Sequence, residues 1–107
     1  MLVIAMGKVK AGTLQERLAR RAEWRYPEGL RVVAEYWPQS GEYAVITIAE
    51  ADSALPILAA IAPWSDMFEF TVAPAVTAEE GLRAAQQMLK AAQIKTWGST
   101  CSRSMAF

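Results

Sequence analysis

The chemistry open to this chain has to run without histidine, which its 107 residues lack altogether. That removes the commonest general base, the usual haem ligand, the histidine-containing triads and most zinc sites. A metal would have to be held by carboxylates alone, and no acidic cluster has the spacing of a calcium loop. There is no phosphate-cradling glycine motif and no nucleophile elbow. No cofactor is implied, and what remains is carboxylates set among aromatic rings.

The first candidate is Asp66, inside W-S-D-M-F-E-F-T-V-A-P-A-V at 64–76. It stands at the entrance to a strand, in phase with Phe68 and Phe70. A carboxylate at the mouth of an apolar pocket has a raised pKa and serves as a general base. The plainer role is hydrogen bonding within the helix-to-strand loop. Trp24, Trp37 and Trp64 could wall a pocket for a flat apolar ligand, with Tyr36 and Tyr43 offering hydroxyls beside Asp66. Aromatic residues more often pack a core or an interface. Glu69 falls on the opposite strand phase, where an ion pair with Arg31 would set dimer register more than it would stabilise. Arg17, Arg20, Arg21 and Arg25 are interrupted by Glu16 and Glu23, so they read as a solvated helix face rather than an anion site.

Eleven basic and eleven acidic side chains cancel. No global field attracts nucleic acid or an anionic membrane, so neither is expected as a partner. Cys101 is the sole cysteine and lies in a Ser-rich tail; with no intrachain disulfide possible, a reducing, cytoplasmic setting is expected. No basic leader precedes the first apolar residues, and no apolar run reaches membrane-spanning length.

The elements that must position these residues follow from periodicity. Residues 2–9 form an apolar run, as in a strand covered on both faces. Thr13 and Glu16 make a capping box, opening a helix with Leu14, Leu18 and Ala22 inward; it should end near Arg25, before Tyr26-Pro27. A strand over 30–37 places Leu30, Val32, Ala34 and Tyr36 opposite Arg31, Val33, Glu35 and Trp37. Pro38-Gln39-Ser40-Gly41 is hairpin-like, and 42–50 returns as a strand apolar on both faces. Asp52 or Ser53 caps a second helix to about Ala62, with Leu55, Leu58, Ala59 and Ala62 on one stripe. The organising strand at 64–76 puts Phe68, Phe70 and Val72 on one face and Met67, Glu69 and Thr71 on the other. Thr77 and Glu80 open a third helix. The expectation is one domain over 1–92 followed by a tail at 93–107.

This order, βαββαβ plus a helix, with the first and third strands apolar on both faces, predicts an α+β ferredoxin-like fold. Its four-stranded antiparallel sheet runs four, one, three, two. Helices on one face leave the other apolar, which favours a homodimer paired through its sheets.

P-E-G at 27–29, Trp37 at a strand end, and W-S-D-x-x-E-F-x-V-x-P-x-V from 64 to 76 with Glu79-Glu80 beyond it resemble a known family. It is the domain-of-unknown-function 3303 family, in the dimeric α/β-barrel superfamily, and the likeness spans roughly residues 1–90. The resemblance implies ferredoxin-like subunits pairing into a barrel, and it implies no reaction. The superfamily includes cofactor-independent monooxygenases, lactone isomerases, polyketide cyclases and haem enzymes. The histidine that the cyclases and haem enzymes rely on has no counterpart here. The expected function is binding, or cofactor-free conversion, of a small aromatic or polyketide-like molecule in a pocket between sheet and helices. The alternative is a non-catalytic homodimeric interaction or ligand-sensing module.

Overall fold

Runs that are apolar on both faces can be covered on both sides only inside a sheet. That is where the computed structural model, which describes residues 1–95, places them. The elements are β1 (Leu2–Val9), α1 (Leu14–Glu23), β2 (Leu30–Tyr36), β3 (Val45–Ala51), α2 (Ala54–Ile61), β4 (Phe68–Pro74) and α3 (Ala78–Lys95). A 3₁₀ turn, Ala62–Trp64, joins α2 to β4. The sheet runs β2-β3-β1-β4, antiparallel throughout, so β3 and β1 are its interior strands and the arrangement is ferredoxin-like. The chain divides into two compact units, Met1–Ala75 and a second beginning at Val76.

Local chemistry sets the ends. Thr13 Oγ1 accepts from the Glu16 amide at 3.1 Å, and Glu16 Oε1 accepts from the Thr13 amide at 3.0 Å, which satisfies two orphan donors of α1. The helix stops at Glu23, with Trp24 already extended, slightly before the expected end at Arg25. Thr77 and Glu80 repeat the box at α3, where the Glu80 amide donates to Thr77 Oγ1 at 3.0 Å. That helix continues to Lys95; Trp97, Cys101 and the rest of the expected tail lie outside the described residues.

Pro27 to Leu30 is a turn closed by the Leu30 amide on the Pro27 carbonyl at 3.3 Å. Gly29 sits at φ 87°, which a side chain disfavours, and a methyl group there would come within 2.8 Å of Pro56 Cγ. The link from β2 to β3 is longer than the expected hairpin, because β3 begins only at Val45.

Within the chain Arg31 pairs with Asp52 at 3.0 Å, and Glu69 stands across the sheet from Lys8. Ser53, one of the two residues expected there, occupies the N-cap of α2 without a side-chain hydrogen bond. Two expectations are corrected. Met67 precedes β4 and is buried beneath the β1–α1 loop; its carbonyl takes the amides of Lys10 and Ala11. In α2 the inward residues are Ile57, Ala60 and Ile61, whereas Leu55 and Leu58 are exposed. Ala-Leu-Pro-Ile-Leu-Ala-Ala-Ile is apolar all round, so periodicity could not choose a face.

The strand phases decide what faces the helices. Cross-strand partners share a face, so Val3, Ala5 and Gly7 lie with Ala49, Thr47 and Val45, and with Val72 and Phe70. Gly7 leaves room for its neighbour, since a methyl group there would sit 2.7 Å from Phe70 Cε1 and 2.9 Å from Val45 Cγ1. In β2 the register slips between Val32 and Ala34. Val33 is the extra residue of a bulge, and beyond it the alternation reverses. Glu35 and Trp37, rather than Tyr36, therefore turn toward the helices.

Candidate functional site

Among the described residues the buried apolar side chains are Val3, Ala49, Ala51, Trp64 and Met67, three of them small. The larger ones that face the helices, among them Trp24, Ile57, Ile61, Phe68 and Phe70, stay only partly buried. The reason is a cavity of about 320 Å³ between the sheet and the helices α1 and α2. It is a partly open cleft rather than a sealed void.

Its wall is aromatic along one side. Tyr26, Trp24, Trp64, Phe68 and Phe70 follow one another with ring centroids 5.9, 5.8, 5.7 and 5.5 Å apart, the first three pairs edge to face. Leu14 and Leu18 of α1, Ile57 and Ile61 of α2, and Val3, Val45 and Val72 of the sheet supply much of the rest.

One polar cluster interrupts this lining. Glu35 receives Arg21 Nε at 3.2 Å and Arg21 Nη2 at 3.0 Å, Tyr26 Oη at 2.5 Å and Trp37 Nε1 at 2.7 Å. Its side chain is only 13% exposed. Burial opposes its charge, but the hydrogen bonds from Arg21, Tyr26 and Trp37, with the charge of Arg21, outweigh that and hold the carboxyl below its ordinary range. The Tyr26 phenol is pushed up to about 12, first by burial and then by its hydrogen bond to Glu35. A carboxylate held ionised and fully engaged by donors is a poor proton acceptor. The cluster is built to hold shape and to present donors.

The sequence candidates divide accordingly. Trp24, Trp37 and Trp64 line the cavity. Tyr36 does not: the bulge turns it to the opposite face, beside Ile46, with 61% of its surface exposed. Tyr43 lies in the β2–β3 loop with the Lys8 ammonium 5.7 Å from its ring centroid, away from the cavity lining. Asp66 reaches the helix side as expected, but Arg20 meets it there in a bidentate pair at 2.7 and 3.0 Å. Its side chain is 61% exposed. The hydrogen bond from Arg20 lowers its pKa, the reverse of the rise a general base there would need. Arg17 and Arg21, expected on a solvated face, line the cavity instead.

Tyr26 escaped the sequence reading, Glu35 was not singled out in it as a site residue, and Arg21 was assigned to a solvated face. The one carboxylate of a mostly apolar strand, between Ala34 and Tyr36, was the available signal, and assuming unbroken alternation turned it the wrong way. Among the described residues, no three Cys, Asp or Glu side chains are grouped so as to hold a metal ion. No helix among them is long and apolar enough to cross a membrane.

Comparison with protein families matches residues 2–89 to Domain of unknown function (DUF3303). The chain belongs to that family. No curated protein and no solved structure matches it. In structural terms the family-like stretches supply both scaffold and cavity wall, since Trp37, Trp64, Phe70 and Val72 line the cavity. P-E-G forms the turn that needs Gly29, and W-S-D gives a buried cavity wall, then a serine whose Oγ donates to the Ala62 carbonyl at 2.9 Å, then the partner of Arg20. Within P-E-G and W-S-D, Trp64 is the residue that lines the cavity.

Proposed function

We propose that this chain binds a small, flat, apolar or aromatic molecule in the cavity between its sheet and the helices α1 and α2. The carrying observation is the cavity of about 320 Å³ itself, lined mainly by aromatic and aliphatic side chains with a polar cluster at Glu35. Ligand sites run from roughly 300 Å³ upward and share this mix of apolar wall and few polar groups, so the occupant is small. Binding is favoured over conversion because both carboxylates near the cavity are engaged: Glu35 by four donor contacts and Asp66 by Arg20.

A homodimer is the companion reading, supported by the other face of the sheet. Ile4 and Met6 of β1 stand beside Ile48 and Ile46 of β3, with Ala34 and Ala73 flanking them. Lys8, Glu69, Arg31 and Glu50 ring that apolar centre, the layout of an interface core and its rim. Within Met1–Ala75 both helices lie on the cavity side. Two copies pairing through this face would keep one cavity each. The single cysteine agrees with a reducing, cytoplasmic setting.

Native mass spectrometry of freshly purified protein tests both readings. A dimer carrying a small additional mass supports them, and Ile48→Glu should then return monomers. A wild-type monomer would remove the sheet-face pairing. Failure of aromatic probes to quench or shift tryptophan fluorescence at millimolar concentration would remove the ligand site, since Trp24, Trp37 and Trp64 line it.

A further inference from the structure

The charges that face the cavity do not balance. Arg17, Arg21 and Glu35 are its charged lining residues, an excess of one positive charge in a chain that is neutral overall. Glu35 has nothing left to offer a ligand, because a carboxylate has about four acceptor positions and four donor contacts occupy them. The arginines do. A guanidinium carries about five N–H donors, of which Arg21 spends two on Glu35. Its Nη1 has no acceptor among the described residues. Arg17 lies one helical turn earlier on the same face of α1 and commits only Nη1, to the carbonyls of Gly12 at 2.9 Å and Ala11 at 3.5 Å.

We infer that the cavity selects organic acids: a flat apolar body against the aromatic wall, and one anionic oxygen head group, such as a carboxylate, met by Arg17 and Arg21. This rests on the cavity being a ligand site, and it adds the charge and chemistry of the head group. A carboxylate matches planar guanidinium donors with short, charge-assisted hydrogen bonds, and it cancels the lining's excess charge. A neutral carbonyl would accept the same hydrogen bonds without cancelling that charge. A cationic head would face two guanidinium groups, with the lining's one carboxylate already engaged.

The test is isothermal titration calorimetry of the full chain with naphthalene carboxylate and with the corresponding carboxamide, which share one ring body. The carboxylate should bind on the order of tenfold more tightly. Arg17→Gln, which leaves the Glu35 cluster intact, should remove several-fold of that preference. Equal affinities, or a tighter amide, would overturn the acid selectivity while leaving the cavity reading in place. An unchanged preference in Arg17→Gln would overturn the two-arginine head site. If neither probe binds at millimolar concentration, the cavity reading falls and the inference falls with it.

Discussion

Replacing Glu35 by glutamine is the most informative single change, because it keeps the shape and removes only the charge and half of the acceptor capacity. Each carboxylate oxygen faces two donors: Oε1 takes Arg21 Nη2 and Tyr26 Oη, and Oε2 takes Arg21 Nε and Trp37 Nε1. An amide nitrogen must replace one of these oxygens, so it confronts an Arg21 N–H whichever way it turns. The tyrosine hydroxyl can reverse and accept, but the indole cannot. Hydrogen bonds to charged groups contribute roughly 1.5–3 kcal/mol each, and breaking a fully buried ion pair costs about 3–5 kcal/mol. Arg21 is itself 36% exposed and the cavity admits water, so the lower end applies. Urea unfolding at neutral pH should show Glu35→Gln less stable by about 2 kcal/mol. The sign with pH is fixed. The folded carboxyl titrates below its ordinary 4.5, so its contribution is full above that value and disappears as pH falls through the folded pKa. The gap between wild type and variant should therefore close in acid. A cost under about 0.5 kcal/mol at neutral pH, or one that does not change in acid, would refute the account of the cluster.

Tyr26 gives the alkaline counterpart: its raised pKa means stability present below 10 and lost as pH rises toward 12, and ultraviolet titration should show a late-ionising phenol that Tyr26→Phe abolishes. Gly7→Ala should push the Phe70 ring into the cavity, so probe binding falls sharply while stability changes by only about 1 kcal/mol. Gly29→Ala meets both a left-handed backbone and Pro56 at 2.8 Å, and should destabilise by roughly 1–3 kcal/mol in thermal unfolding. Asp66→Asn should have a small effect on stability that vanishes in high salt, because the pair with Arg20 is largely exposed; a large, salt-independent loss would contradict that placement.

Much of the fold was legible because its signals are local. Two capping boxes marked helix starts, and two strands apolar on both faces identified the interior of the sheet. Phe68, Phe70 and Val72 were read onto the cavity face, and three tryptophans onto its wall. Where the reading failed, the determinant was not local. The eight residues of α2 carry apolar side chains throughout, so only the tertiary fold decides that Ile57 turns inward and Leu58 outward. Asp66 was placed on the correct side, but the partner that sets its pKa, Arg20, is distant in sequence.

The bulge at Val33 is the deepest of these gaps, and it is what builds the site. Val32-Val33 are β-branched residues of good strand propensity, with neither the glycine nor the proline that would announce a break. With unbroken alternation, Glu35 would lie on the sheet's other face beside Ile46 and Ile48, an unpaired carboxylate in an apolar centre. Tyr36 would enter the cavity in its place, and Arg21 would face a void without a counter-charge. One extra residue exchanges them. It moves the carboxylate to the face where Arg21, Tyr26 and Trp37 wait, and it leaves the opposite face to Ala34 and Tyr36 beside the isoleucines. Both faces benefit from the same irregularity, so the bulge is better understood as part of the site's construction than as a defect in β2. Deleting Val33 should therefore reverse the phase beyond it, and both the Glu35 cluster and the apolar sheet face would be lost in one step.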